Sequence, residues 1–399
     1  MKILLLCNKS PWPPKDGSAA ATLNIIKGLS AQNISVTVLA INTSKHFIKT
    51  EEIPDELAKM IDYQLINSET RINILKLLLN LVFSCLPYNL ERFWSRKYNS
   101  ELKRVIHNNF DIIQIEGLAM YHYLHTIRQN WSAPVVFRPH NVENLIWFRL
   151  ADEERNWFNG LYFRVLARRI KKLEKNIINK FDGIIPISSA DFAWFKAEGL
   201  SRPALLTVPG YNPEELMEYS DPCSDKVFFI GALDWLPNIY GLNWFIKEVW
   251  PTVVNRIPRA EFFVAGRNAS EKTIAGLSGY KINYEGEVES SSLFIKDKTV
   301  MVVPLFSGSG IRIKIIEGMF HGKCIVATPL AAEGLYFENN KDIFIASGAS
   351  AFAENIIELL TNSKLRKETG ENAIKNVRKN YNILASSENL IKFYRELIS

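Results

Sequence analysis

The sequence predicts an α/β protein of two domains, each a parallel sheet layered with helices. Three observations predict it. Short apolar, β-branched runs recur along the whole chain with helical patterns between them. The runs are continuous rather than alternating, and the pattern starts afresh after a turn-rich stretch near the middle. Continuous apolar runs suit strands covered on both faces, and helices between them make parallel crossovers. Chains beyond about 250–300 residues usually divide into several cores, and this one has 399 residues.

The runs of the first half are KILLLC (2–7), SVTVLAI (35–41), DIIQI (111–115), PVVFR (134–138), GIIPI (183–187) and ALLTV (204–208). Those of the second are KVFFI (226–230), AEFFVA (260–265), KINYE (281–285), TVMVVP (299–304), KCIVA (323–327) and DIFIA (342–346). The polar stretch PGYNPEELMEYSDPCSD (209–225) is the linker candidate. It gives domains over 1–208 and 220–375. Apolar residues spaced along Ile383–Ser399 mark an amphipathic helix, and the segment 376–399 is expected to pack back on the first domain.

Hydrophobic residues at 47% and aromatics at 12% exclude a disordered chain. The net charge of +6 is too small for this length to imply nucleic acid, and it suits anionic ligands or an anionic membrane surface. Cys7, Cys85, Cys223 and Cys324 are scattered without a metal or disulfide pattern, which fits a reducing cytoplasm. The apolar opening Met1–Cys7 is stopped by Asn8, Lys9 and nearby prolines, and reads as a strand rather than a signal peptide. No run approaches the ~20 apolar residues of a spanning helix. Leu75–Leu86, the most apolar segment, reads as a buried helix or cleft lining.

The richest chemistry lies in VVPLFSGSGIRIKIIEGMFHGKCIVATPLAAEGL (302–335). A strand ends at Pro304, Gly308, Ser309 and Gly310 form a turn, and a helix follows from about Ile311 to His321, stopped by Gly322. Such a turn offers backbone N–H groups at the positive end of a helix dipole, a site for phosphate. Arg312 and Lys314 are unfavourable in a first helical turn unless an anion binds there. Lys314 and Glu317 share a helix face, so Lys314 can meet phosphate while Glu317 accepts from ribose hydroxyls. An exposed helix with an i,i+3 ion pair is the plainer reading of the same two residues.

This segment resembles the nucleotide-binding signature of family-4-like, GT-B-fold retaining glycosyltransferases. The resemblance runs almost unbroken over 226–336. FFIGALDWLPNIYGLNWFIKEVWP (228–251) is similar to the opening of that family's donor domain, with Gly231 after the strand and Asn238 placed as a helix N-cap. FFVAGRNAS (262–270) puts Gly266 and Arg267 near the nucleotide, and YEGEV (284–288) is similar to the turn beside the base. Ser309 stands where many members carry a first glutamate, eight residues before Glu317. The resemblance implies two Rossmann-like domains whose parallel sheets face across a cleft. It implies donor binding by Gly17, Gly231, Arg267, Gly308, Ser309, Gly310, Ile311, Arg312, Lys314 and Glu317.

In the first half, SPWPPKDGSAAATLNIIKGLS (10–30) matches the family's proline-and-glycine loop, with Gly17 and Ser18 at the helix entry. VVFRPHNVENLIWFR (135–149) is similar to its His-Asn-x-Glu segment. The resemblance makes His140 catalytic together with Lys314 and Glu317, and puts Asn141 and Glu143 on the acceptor side, where Glu116, just after the strand DIIQI, is also expected. His122 and His125 have helical metal-ligand spacing but no third ligand nearby, so no metal is expected. Arg155–Lys180 reads as a long solvated helix packed on one side, with contact to an anionic membrane or lipid-linked acceptor as the competing reading.

The implied reaction moves a sugar from a nucleotide-sugar co-substrate to a hydroxyl of a glycan, lipid-linked or other acceptor, with retention and without a metal or other cofactor. Nucleic acid is not an expected partner. The expected setting is cytoplasmic, with peripheral contact to the inner face of the membrane and a place in polysaccharide, glycolipid or glycoconjugate synthesis. Two alternatives stay open: a sugar-nucleotide 2-epimerase of the same architecture, and a non-catalytic nucleotide-sugar-binding scaffold.

Overall fold

The computed structural model describes residues 1–84, 86–154, 156–216, 218–277 and 281–399. The expectations for Cys85 and for the Arg155 end of the basic helix lie outside the described residues. The chain forms two compact units. One comprises Met1–Ala151, Arg155–Pro209 and Ile383–Ser399, and the other Asp152–Glu154 and Gly210–Asn382. Each holds a six-stranded, all-parallel sheet.

The strands of the first unit are β1 (Lys2–Cys7), β2 (Ser35–Thr43), β3 (Asp62–Ser68), β4 (Ile112–Glu116), β5 (Val135–Arg138) and β6 (Gly183–Ile184), ordered β3-β2-β1-β4-β5-β6. Those of the second are β7 (Lys226–Ile230), β8 (Glu261–Ala265), β9 (Ile282–Gly286), β10 (Val300–Val303), β11 (Cys324–Ala327) and β12 (Phe344–Ile345), ordered β12-β11-β10-β7-β8-β9. The helices that position the site and surface are α1 (Gly17–Ala31), α2 (Ile74–Phe83), α3 (Glu143–Glu153), α4 (Trp157–Ile177), α5 (Leu236–Trp244), α6 (Ile313–Phe320) and α7 (Ile383–Ile398).

The continuous apolar runs follow from two-sided burial. Along β1, Leu4 and Leu6 enter one core with Tyr98 and Leu102, while Ile3, Leu5 and Cys7 enter a second with Ile26 of α1 and Leu390 and Tyr394 of α7. Both faces of the strand are therefore dry, and no alternation survives in the sequence. The second unit has its own core, with Phe229, Phe245, Trp250 and Phe262 in contact. The free thiols of Cys7 and Cys324 are buried, and that of Cys223 is exposed.

Four expectations need correction. β3 was not expected: DYQLINS pairs only with β2, at the sheet edge, and is largely polar and half-exposed. ALLTV (204–208) runs beside β6, with Leu205 and Thr207 donating to the Ile184 and Pro186 carbonyls, but Pro186 has no N–H to return a bond, so it forms an isolated bridge at Ala204–Ile184 rather than a strand. The return to the first unit begins at Ile383, later than the expected 376, because the preceding helix runs to Asn380 within the second unit. Leu75–Leu86 is only partly the buried or lining segment expected: Asn80 is buried and Leu86 packs on the first core, but Leu75, Leu78, Leu79 and Val82 are exposed. Only the opposite face of α2 is covered, where Leu77, Asn80 and Leu81 meet Tyr162 and Arg169 of α4.

The return of α7 is tightly fitted. It packs against α1, where Gly28 leaves room for Ser387; a Cβ on Gly28 would lie 1.9 Å from the Ser387 hydroxyl. The start of α1 is capped by Asp16, which accepts the Ala19 N–H at 3.0 Å and pairs with Lys9 at 2.6 Å.

Candidate active site

In an open parallel sheet, ligands bind beyond the carboxyl ends of the strands where the strand order reverses. In the second unit that point lies between β7 and β10, and three expected donor loops converge there. Gly231 follows β7, Gly266 and Arg267 follow β8, and Gly308–Gly310 follow β10. The first two loops touch: a Cβ on Gly266 would lie 2.0 Å from the Gly231 carbonyl oxygen. Gly308 at φ +118° and Gly310 at φ +76° occupy left-handed backbone that glycine alone adopts without strain.

The turn feeds α6, whose start no side chain caps. Its first N–H groups have no side-chain cap, and the Ile315 N–H goes to the Arg312 carbonyl at 2.8 Å. Arg312 folds back, donating to the carbonyls of Ser309 and Gly310, and so braces the turn. Ser309 is buried, and the buried Ser307 hydroxyl has no hydrogen-bond partner among the described residues. Ile311 is also buried and serves as packing beneath the turn.

Lys314 reaches from α6 to the end of β7. Its Nζ donates to the Ile230 carbonyl at 3.2 Å and to Asn238 Oδ1 at 3.2 Å, and lies 4.6 Å from the Phe229 ring centre. Burial, aided by the charge of Arg312, pulls its pKa down to about 7. A cation held in this way gains by meeting an anion. Glu317 accepts from the Ser291 hydroxyl, and burial raises its pKa.

The first unit places His140 just beyond β5. Its Nε2 lies 2.6 Å from Glu116 Oε2, at the end of β4. The same oxygen accepts from Arg138 Nη1 at 2.9 Å and from the Thr22 hydroxyl at 3.0 Å. Burial alone would raise the Glu116 pKa, but the Arg138 charge and the hydrogen bonds from His140 and Gln114 outweigh it and hold the carboxyl at about 2. Burial lowers the His140 pKa against the pull of Glu116. An ionised carboxylate only accepts, so His140 carries its proton on Nε2 and presents Nδ1 as the lone-pair atom.

Glu116 was expected on the acceptor side. In the structure its side chain is 1% exposed and its oxygens are engaged by four neighbouring side chains, His140 among them. Asn141 and Glu143 are neighbours, with Asn141 Nδ2 3.4 Å from Glu143 Oε1. Glu143 opens α3, whose first N–H groups are held by Glu174 at 2.8 and 3.2 Å. Gly17 is exposed at the start of α1. Asn238, expected as an N-cap, lies inside α5, one turn after Trp235; its amide ties Lys314 to the Ala232 carbonyl. Sequence reasoning missed Ser291, Glu174 and Tyr394, whose hydroxyl on α7 donates to Gln114, which in turn donates to Glu116. These partners are far apart in the chain and carry no local motif.

The fold and these two sites define a two-domain α/β protein of the GT-B architecture. The first segment, residues 15–210, matches the model of Glycosyltransferase Family 4, and residues 224–362 match that of Glycosyl transferases group 1. The chain belongs to these family-4-type, GT-B glycosyltransferases. A relative from Klebsiella pneumoniae, described as an uncharacterized 44.6 kDa protein in the cps region, is 22% identical over 95% of this chain and 96% of its own. An uncharacterized glycosyltransferase from Methanocaldococcus jannaschii is 25% identical over 34% of this chain and 37% of its own. Among solved structures, the Anabaena protein HepE in complex with UDP-glucose superposes with a TM-score of 0.67 at 14% identity, covering 99% of this chain and 100% of that one. Sucrose-phosphate synthase from Thermosynechococcus elongatus superposes at 0.72 and 15%, covering 100% and 99%. TarM of S. aureus, solved with fondaparinux, α-GlcNAc-glycerol and UDP, superposes at 0.70 and 12%, covering 99% and 100%.

Proposed function

We propose that this glycosyltransferase takes its sugar from a nucleoside diphosphate sugar and transfers it to a hydroxyl of a glycan or lipid-linked acceptor with retention of configuration. The observation that carries the reading is the anion site where β10 turns into α6: two left-handed glycines, an uncapped helix start and the buried Lys314 aimed at the end of β7. The diphosphate would lie on the Gly308–Gly310 turn and α6, with Lys314 on its oxygens and Glu317 and Ser291 on the ribose. Gly231 and Arg267 border the same loops.

In this reading the donor C1–O bond breaks as negative charge builds on the diphosphate, which the helix start and Lys314 stabilise. The acceptor oxygen bonds C1 on the face the phosphate leaves, and its proton passes to the departing phosphate oxygen. His140 orients the sugar. Fixed positive charge takes the part a divalent ion would otherwise play, so the reading is of a metal-independent enzyme. The UDP and UDP-glucose bound to HepE, and the UDP bound to TarM, support a nucleotide donor. The cps description of the Klebsiella relative supports a place in surface polysaccharide or glycoconjugate synthesis. The free, buried thiols suit a cytoplasmic setting.

The test is incubation with a panel of nucleotide sugars, with and without a mixed glycan and lipid acceptor pool, in EDTA. The reading expects free nucleotide to appear only with acceptor, and the anomeric proton coupling of the product to match that of the donor. Inverted product contradicts retention, and a changed sugar nucleotide without acceptor contradicts transfer.

A further inference from the structure

We infer that the face formed by α2 and the start of α4 docks the protein on an anionic lipid bilayer. On α2, Leu75, Leu78, Leu79 and Val82 recur at one-and-three spacing, which places them on a single stripe. The stripe points outward: Leu75 is 67% exposed, Val82 71%, and Phe83, at the end of the helix, 81%. The opposite face is fixed. Arg169 of α4 donates to the Asn80 carbonyl at 3.3 Å and to the Leu81 carbonyl at 2.6 Å, pinning the last turn of α2 against α4. Asn80 in turn donates to the Leu86 carbonyl at 3.0 Å. The apolar stripe is therefore held outward rather than merely left uncovered.

The neighbouring start of α4 continues the apolar surface. Trp157 and Phe158 stack at 4.1 Å between ring centres and are 65% and 67% exposed, and Leu161 follows one turn on. Scattered exposed leucines are ordinary, but a contiguous patch of this kind marks an interaction surface. Its charge selects the partner. Residues 70–90 and 156–172 contain no aspartate or glutamate. Lys76 on α2 and Arg164 and Arg168 on α4 are exposed beside the apolar residues.

A protein partner would normally be met by a surface of mixed charge around an apolar centre. Apolar residues bordered by Lys76, Arg164 and Arg168, with a stacked aromatic pair at one end and the nearest carboxylate, Glu91, held by Asn80 on the covered side of α2, match the headgroup region of a bilayer carrying anionic lipid. No helix among the described residues is long and apolar enough to cross a membrane. With 10 residues, α2 would lie in the interface plane. Such docking would bring the enzyme to a lipid-linked acceptor, but it stands on the surface alone and not on the reaction.

The test is vesicle cosedimentation of the full chain, without donor or acceptor, so that its failure leaves the transferase reading untouched. Wild type is expected to sediment with phosphatidylcholine vesicles containing phosphatidylglycerol, less with phosphatidylcholine alone, and less as salt rises. Leu79→Glu with Val82→Glu is expected to lower partitioning at least about tenfold. Arg164→Glu with Arg168→Glu is expected to remove the preference for phosphatidylglycerol and leave the weaker binding to neutral vesicles. Both pairs are exposed, and unchanged thermal melting checks their folding. Wild type remaining in the supernatant with both vesicles overturns the inference. So does equal sedimentation of the apolar variant, or a wild-type dimer without vesicle binding that the apolar variant turns into a monomer.

Discussion

His140 donates its Nε2 proton to Glu116 across 2.6 Å, and Arg138 holds the same carboxylate oxygen at 2.9 Å. The ring is thereby fixed in one tautomer and one orientation, as a carboxylate partner does for a metal-bound histidine. Glu116→Gln keeps the shape but removes the charge that holds His140. Turnover is expected to fall about tenfold to a hundredfold, while donor affinity is expected to stay near wild type. A steady-state comparison of kcat with a separate donor titration checks the split. Equal loss in both would show that Glu116 serves the fold only.

Lys314 makes donor binding depend on pH. Its pKa falls from an ordinary 10.5 to about 7 in the ligand-free fold, because burial disfavours the charge. Between these values the unfolded chain binds the extra proton and the folded one does not, so the stability of the free protein rises with pH across that window. A bound diphosphate favours the charged amine, so donor binding takes up a proton and weakens as pH rises above about 7. The limit is about tenfold per pH unit. Calorimetric titrations in buffers of different ionisation enthalpy should show the uptake, and Lys314→Met should abolish it.

Gly308 is fixed by geometry rather than composition. Alanine there would be strained at φ +118°, and its Cβ would lie 2.9 Å from Arg312 Nη2, displacing the arginine that braces the turn. The strain is of order 1–3 kcal/mol. Gly308→Ala is expected to lose donor affinity measurably while its melting temperature falls by only a few degrees. Wild-type donor affinity would show that the turn does not shape the site.

The crossing of α7 over α1 predicts a purely structural variant. Gly28→Ala places a methyl 1.9 Å from the Ser387 hydroxyl and 3.2 Å from the Ile383 side chain, so the hydroxyl must give up its bond to the Ile383 carbonyl or α7 must shift. A loss of about 1–3 kcal/mol is expected, read by denaturant unfolding with the activity per folded molecule unchanged. An unchanged midpoint would mean that α7 can move away freely.

Much of this was legible in the sequence because it is local. The six runs of the second half each became a strand, since two-sided burial leaves an unbroken apolar signature. The turn Gly308–Gly310 was legible because left-handed backbone before a helix requires glycine. What was not legible depends on distance in the chain. Glu116 reads as an acceptor contact from its place after a strand, and only the fold brings Arg138, His140, Thr22 and Gln114 around it. Asn238 reads as a cap by its position before an apolar helix, yet the helix starts earlier and its amide goes to Lys314. The stripe of α2 reads as core by hydropathy alone, because periodicity cannot say which of two apolar faces is covered.

The central claim is that a nucleoside diphosphate sugar sits on the turn at Gly308–Gly310 with Lys314 on its phosphates. The most direct measurement is a binding titration of the best donor from a thermal-shift panel of nucleotide sugars against wild type, Lys314→Ala and Glu317→Ala. Losing a charge-assisted contact to phosphate should weaken binding about tenfold to a hundredfold in Lys314→Ala. Glu317→Ala should weaken binding of the free nucleotide and of the nucleotide sugar alike. Wild-type affinity in both variants, or no nucleotide sugar that raises the melting temperature of the wild type, would contradict the account.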